Sequence, residues 1–180
     1  MFYVSPVYTT VPADMKSPVR KEIYDTLVRL GIPFGRVDTD PAETMELCLE
    51  IDKVLGIRIV KTLLLCNQQK TKFYMLAMKD DKPFVTRDFS RAMGIARVSF
   101  ASAETLYAML GTPRGAATVL SLVRDPEKRV QLVFDREILE GEWYGCTDGV
   151  VDGYMKLRTA DLLEKYIPAT GHEPAIIELP

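Results

Sequence analysis

One histidine, His172, is all the imidazole in this chain of 180 residues, and that scarcity removes much chemistry at once. A Ser-His-Asp triad would have to draw its base from the C-terminal tail, and a zinc site built on histidine has too few ligands. Cysteine is sparse too: Cys48, Cys66 and Cys146 are odd in number, widely scattered and without a CxxC spacing. No disulfide framework is implied, and buried, unreactive thiols are the plain reading. No stretch approaches the roughly 18 consecutive apolar residues of a membrane span. The N-terminal segment Met1–Lys16 has neither the positive leader nor the apolar core of a signal peptide, so a cytoplasmic location is expected. GxGxxG, GxSxG and HExxH are absent. The segment from Gly56 to Thr62 imitates a phosphate-binding loop, but Val60 stands where that loop needs glycine, and a β-branched residue cannot easily take the positive φ required.

What is present suits one compact soluble domain. Apolar residues make up 47% and charged residues 27%, ordinary values for a globular protein large enough to bury a core. With 23 basic and 25 acidic groups the net charge is −2, which argues against coating nucleic acid by electrostatics alone but leaves room for gripping a single nucleic-acid end. Lys16, Arg20 and Lys21 cluster near the start, and Lys79, Lys82, Arg87, Arg91 and Arg97 lie in a central stretch. Solvated charged surface is the plain reading of both groups.

The pattern along the chain predicts an extended arm over residues 1–16, a domain over 17–167 and a tail over 168–180. Ser17 reads as an N-cap with Pro18 at the first helical position and Gly31 as the stop; Val19, Ile23, Leu27 and Leu30 form one apolar face. A strand Phe34–Asp38 follows. Asp40 then reads as a cap, with Pro41 at the first helical position and Glu43 at the capping-box position, opening a helix that carries Met45, Cys48, Ile51, Asp52 and Leu55 and stops at Gly56. Strands are expected at Ile59–Cys66 and Phe73–Met78, a short helix at Arg87–Met93, a strand at Arg97–Phe100 and a helix at Ser102–Leu110. Further strands are expected at Val119–Val123, Val130–Phe134, Trp143–Cys146 and Tyr154–Leu157, and a last helix at Ala160–Tyr166, capped by Thr159. Strands outnumber the crossover helices of a regular βαβ series. The expected fold is therefore α+β, a single domain with a mixed, mostly antiparallel central sheet flanked by helices.

Two features bear on chemistry. Lys61 opens the apolar run Thr62-Leu63-Leu64-Leu65 and would share a strand face with Leu63 and Leu65. A lysine facing a core is costly unless it meets an anion or a carbonyl; on the residues alone, a strand-end lysine reaching water remains the favoured reading. The loop Gly111-Thr112-Pro113-Arg114-Gly115-Ala116-Ala117-Thr118 sets two glycines around a proline and follows them with small side chains. Such a loop lets backbone amides approach a carbonyl that is becoming an oxyanion; a helix C-cap followed by an ordinary turn is the plainer alternative.

Lys61-Thr-Leu-Leu-Leu, Phe73-Tyr-Met-Leu, Arg97-Val-Ser-Phe, the Gly111–Gly115 loop, Val130-Gln-Leu-Val-Phe-Asp135 and Asp161-Leu-Leu-Glu-Lys165 occur in one order. Together they resemble the YbaK/prolyl-tRNA-synthetase-associated editing family, in particular its free-standing ProX or PrdX-like members. The likeness runs from about Ser17 to the tail. It implies a mixed α/β fold with a curved central sheet, and hydrolysis of the ester of a wrong amino acid, commonly alanine or cysteine, on tRNA(Pro). The family's central lysine falls on Lys61, which would bind and orient the aminoacylated 3′ end. Its pocket loop falls on Gly111 to Ala117, and Gly111, Thr112, Pro113, Gly115, Ala116 and Ala117 would limit amino-acid size and present amides to the carbonyl. No metal or organic cofactor is implied.

The chain departs from that family at four pocket positions. Thr62 replaces the usual asparagine after the lysine, Thr39 a histidine after the first strand, Thr147 the histidine of a His-Pro pair, and Val151 a following asparagine. Two readings follow. The first is a trans-editing deacylase of mischarged tRNA(Pro), with alanine the expected amino acid. The second is a non-catalytic relative that binds tRNA 3′ ends or a small amino-acid-like ligand. A homodimer or a complex with prolyl-tRNA synthetase has no direct support in the residues; helix Ser17–Leu30 and the tail, with Ile176, Ile177 and Leu179, are the segments that would carry it.

Overall fold

The computed structural model of the chain describes residues 1–42 and 44–180, and of Met45 only the backbone. Helix α1 (Pro18–Arg29) starts where Ser17 accepts the amide of Arg20 at 3.3 Å and buries Val19, Ile23, Tyr24 and Leu27. Strand β1 (Phe34–Asp38) follows, then helix α2 (Met45–Leu55), which Gly56 ends in the left-handed conformation. The cap of α2 is Thr44, whose side chain accepts from the amide of Leu47, rather than the expected Asp40. Asp40 instead accepts the amide of Tyr3 at 3.1 Å, which ties down the N-terminal arm. The capping-box position Glu43 lies outside the described residues.

Strands β2 (Lys61–Asn67) and β3 (Phe73–Met78) form an antiparallel hairpin. Helix α3 (Thr86–Met93), strand β4 (Val98–Phe100) and helix α4 (Ala103–Leu110) come next. The expected strand at Val119–Val123 is instead a 3₁₀ helix, Val119–Arg124. Its β-prone residues fold that way because Thr118 accepts the amide of Leu120 at 3.2 Å and Tyr166 donates its hydroxyl to the carbonyl of Leu120 at 2.7 Å, while Val119, Leu120 and Leu122 all reach the core.

Strand β5 (Val130–Asp135), a short 3₁₀ helix (Arg136–Leu139), and strands β6 (Trp143–Thr147) and β7 (Gly153–Arg158) follow. The last helical stretch runs further than expected, through α5 (Thr159–Asp161), a π turn (Leu162–Tyr166) and α6 (Ile167–Thr170). Its cap residue is Arg158, and the Thr159 hydroxyl donates to the carbonyl of Gly141 at 2.7 Å. Residues from Pro168 onward belong partly to this helix and partly to strand β8 (Ala175–Ile177).

The strands make two hydrogen-bonded groups, β4-β2-β3-β5-β8 and β1-β7-β6. Pairing is antiparallel except β3 with β5 and β5 with β8. The groups meet at a parallel bridge between Ile59 and Gly145, where the amide of Val60 donates to the carbonyl of Gly145 at 2.9 Å. A Cβ on Gly145 would lie 3.0 Å from the carbonyl oxygen of Arg58, so this approach requires glycine.

Both faces of the larger sheet are covered, which is why β3 is apolar throughout. Phe73, Met75 and Ala77 face a core shared with α1, β6 and β7, while Tyr74, Leu76 and Met78 face Phe89, Val98 and Ile177. Helix α2 packs Ile51 and Leu55 on Val37 and Tyr154 of the smaller sheet. Among the described residues no helix is long and apolar enough to cross a membrane.

Candidate functional site

The middle of α2, the start of β2, the turn after β3, the loop after α4, the end of β6 and the start of β7 surround a cleft of about 240 Å³. Five of the residues expected at a site line it: Lys61, Thr62, Gly115, Ala117 and Thr147. They come from segments far apart in sequence, brought together because the Ile59–Gly145 bridge sets the start of β2 beside β6.

Lys61 is half-buried, and its ammonium donates to the backbone carbonyl of Lys82. That carbonyl belongs to a residue held firmly in place: the Lys82 ammonium lies 2.7 Å from both Asp135 and Glu137 and 2.8 Å from the carbonyl of Leu179. The Thr62 hydroxyl is shielded from solvent and has no hydrogen-bond partner among the described residues. In the same lining, Gly115 has φ +88 and open space where a Cβ would project. The amides of Gly115 and Ala117 donate to no backbone carbonyl among the described residues. Thr147 closes the wall by donating its hydroxyl to the carbonyl of Ala116 at 2.8 Å.

Six other expected residues do not line the cleft. Gly111 ends α4 with φ +72 and packs against Arg124, so close that a Cβ there would lie 2.5 Å from a guanidinium nitrogen. Thr112 is fully buried with a hydroxyl that has no partner among the described residues, and Pro113 accepts the amide of Ala116 at 3.1 Å to form the turn. Ala116 is buried and contributes its carbonyl to Thr147. The Thr39 hydroxyl is taken up by the carbonyl of Asp40 at 2.6 Å. Val151 offers its carbonyl to the Tyr154 hydroxyl at 3.3 Å. These positions shape the loop and the β6–β7 turn rather than the cleft surface.

The cleft also holds side chains to which the sequence reading assigned no role: Cys48, Asp52, Asp80 and Tyr154. Asp52 follows Cys48 by four residues and Ile51 by one on a face that is otherwise apolar; a carboxylate at such a spacing was the legible signal. One oxygen of Asp52 accepts the amide of Ile59 at 3.1 Å, and the other has no partner among the described residues. Burial pushes this carboxyl above the usual carboxylate range, opposed by the Ile59 amide and reinforced by the charge of Asp80. Asp80 is paired with Arg58 at 3.0 Å, and Arg58 also reaches Asp81 at 3.3 Å. Burial, then Asp52 and Asp80, push the Cys48 thiol up; burial pushes the Tyr154 phenol up to about 12.

Next to Thr147 of the cleft wall, Asp148 belongs to an ionic cluster. Arg20, expected on a solvated surface, is 1% exposed. It donates to Asp148 at 2.9 and 3.1 Å and to Asp38 at 3.1 Å, and the Tyr24 hydroxyl reaches the same Asp148 oxygen at 2.5 Å. His172, the one imidazole, is buried against Asp125 at 2.9 Å, away from the cleft. Among the described residues, no group of three or more His, Cys, Asp or Glu is placed to hold a metal ion.

The model of the aminoacyl-tRNA editing domain matches residues 39–165, a span that includes every cleft-lining segment. The chain is 27% identical over 161 residues to the prolyl-tRNA synthetase associated domain-containing protein 1 of Danio rerio, covering 88% of this chain and 86% of that one. It is 25% identical over 165 residues to the prolyl-tRNA editing protein ProX of Acetoanaerobium sticklandii, covering 92% of this chain and 100% of that one. Among solved structures, the hypothetical protein APE2540 superposes with a TM-score of 0.64 at 21% identity, over 88% of this chain and 98% of that one. A protein described as a trans-editing enzyme for prolyl-tRNA synthetase superposes with a TM-score of 0.64 at 14% identity, over 91% and 99% of the two chains.

Proposed function

Because the chain belongs to the aminoacyl-tRNA editing domain family, we propose that it is a free-standing deacylase that hydrolyses mischarged tRNA(Pro), with alanine the amino acid removed. The observation that carries this reading is the convergence of Lys61, Thr62, Gly115, Ala117 and Thr147 on one small cleft. At about 240 Å³ and walled by Gly115 and Ala117, the cleft suits a short side chain.

An aminoacyl ester is already activated, so positioning and charge stabilisation are the main tasks. In this reading the Lys61 ammonium turns from the Lys82 carbonyl toward the 3′-terminal nucleotide and orients it. The ester carbonyl lies against the amides of Gly115 and Ala117, which hold the oxyanion as water adds to the carbonyl carbon. The ribose 2′-hydroxyl beside the ester positions that water. Collapse of the adduct releases the free amino acid and returns a proton to the departing ribose oxygen. The protein would act in the cytoplasm, where charged tRNA is found, and association with prolyl-tRNA synthetase or as a homodimer belongs to the same reading.

One observation favours a second reading, a relative that binds without turnover. Thr147, at the position of the family's histidine, spends its hydroxyl on Ala116 and offers water no base. The deciding experiment is hydrolysis of Ala-, Cys-, Ser- and Pro-tRNA(Pro) by wild type and Lys61→Ala. Release of alanine that spares Pro-tRNA(Pro) and falls by about 10²-fold or more in the variant, the scale of losing one electrostatic stabiliser, is expected. No release above the uncatalysed rate from any of the four would leave the binding module.

A further inference from the structure

We propose that Asp52 accepts the α-ammonium group of the aminoacyl ester, so that the cleft admits unblocked aminoacyl-tRNA and discriminates against esters with no positive charge at that position. The proposal rests on the reading of the cleft as the aminoacyl site. Asp52 is only 9% exposed, and one of its carboxylate oxygens has no hydrogen-bond partner among the described residues. A buried acceptor in that state is expensive unless a donor arrives.

The nearby cations are committed elsewhere. Lys61 donates to the carbonyl of Lys82, and Arg58 is shared between Asp80 and Asp81. Asp80, paired with Arg58, lines the same cleft and adds its charge to that of Asp52, so the cleft that Gly115 and Ala117 also line carries two carboxylates. The other Asp52 oxygen, fixed on the Ile59 amide at 3.1 Å, holds the carboxylate in one orientation.

The chemistry of the substrate matches this charge. An aminoacyl ester carries its α-nitrogen two bonds from the carbonyl carbon, so in a cleft of about 240 Å³ an ester whose carbonyl meets the loop amides keeps its ammonium among the other lining residues, Asp52 included. Every unblocked amino acid has that ammonium, so Asp52 selects the class while Gly115, Ala117 and the cleft volume select the side chain. Peptidyl and formylated esters lack the charge, and the same carboxylate would protect them from hydrolysis.

The test compares alanyl-tRNA(Pro) with lactyl-tRNA(Pro), in which a hydroxyl replaces the ammonium at nearly the same size, each rate divided by its uncatalysed rate. Wild type is expected to accelerate the alanyl ester at least about tenfold more than the lactyl ester, a charge-assisted bond being the stronger kind. Asp52→Asn keeps an acceptor for Ile59 and should bring that ratio close to one by slowing the alanyl ester alone. Asp52→Ser is the second variant should the first fail to fold, and the wild-type ratio is a test by itself. Equal acceleration of both esters by wild type, or a ratio unchanged in the variants, overturns the proposal. If wild type hydrolyses neither ester, the deacylase reading fails separately. Titration with 3′-alanylamino-3′-deoxyadenosine and its lactylamino counterpart then decides. Preference for the alanyl compound, erased in Asp52→Asn, supports the proposal; equal or undetectable binding overturns it.

Discussion

The hydroxyl of Thr147 donates to the carbonyl oxygen of Ala116 at 2.8 Å, a buried bond that fastens the loop after α4 to the end of β6. The wall of the cleft is therefore one unit made of two distant segments. Thr147→Val keeps the shape and removes the donor, leaving the Ala116 carbonyl buried and unpaired. A loss of about 1–3 kcal/mol in stability is expected, read by urea denaturation. Deacylation should fall as Gly115 and Ala117 lose their fixed position, and a variant with wild-type activity would show that the bond is not needed to hold the loop.

Arg20 neutralises Asp148 where water cannot. Arg20→Ala leaves a carboxylate that is fully buried and, among the described residues, held by the Tyr24 hydroxyl alone, and breaking a buried pair from one side costs about 3–5 kcal/mol. Tyr24→Phe should cost less, about 1–3 kcal/mol. Denaturation curves of the two variants side by side check the order.

Alkaline pH should destabilise the protein, and Cys146 is one contributor beside the buried tyrosines Tyr24, Tyr144 and Tyr166. Burial raises this thiol to about 12, against the pull of the Thr118 hydroxyl and with the push of Asp148. The unfolded thiol titrates near about 8.5, so the folded state holds the proton longer. The stability this contributes is fully present below the unfolded value and is lost as pH rises from there through about 12. Cys146→Ala should flatten the stability profile above about pH 8.5, measured as denaturation midpoint against pH.

Cys48 is the thiol at the cleft, half-buried where Cys66 and Cys146 are buried. Iodoacetamide should modify it first, faster as pH rises because burial and the two aspartates hold the thiol protonated. The added group occupies part of a cleft of about 240 Å³, so hydrolysis should fall with the extent of labelling seen by mass spectrometry. Cys48→Ala should keep activity and resist the reagent; continued sensitivity would place the effect elsewhere.

Much of the fold was legible because local signals and tertiary packing agree. Ser17 and Pro18 start α1, Gly94 and Gly111 stop α3 and α4 in the left-handed conformation, and β3 has its expected bounds, Phe73–Met78. The signals failed where a distant partner overruled them. Val119–Arg124 is β-prone in composition, yet the Tyr166 hydroxyl, 46 residues on, takes a carbonyl that a strand would have paired. Arg20 looks like surface charge until Asp148, 128 residues away, is placed against it.

By itself the sequence determined the α+β class, through side-chain period and turn chemistry, while an ordered set of short segments resembled the family, and that resemblance made Lys61 and the small-residue loop candidates. Only the tertiary structure decided which of those residues share a cleft. Gly145 lets the start of β2 meet β6, and Thr147 draws the loop inward. That approach sets Lys61, Gly115 and Asp52, one of whose oxygens has no partner among the described residues, around one space. The pairing of strands far apart in the chain, which no local pattern encodes, is what brings separate residues to one cleft.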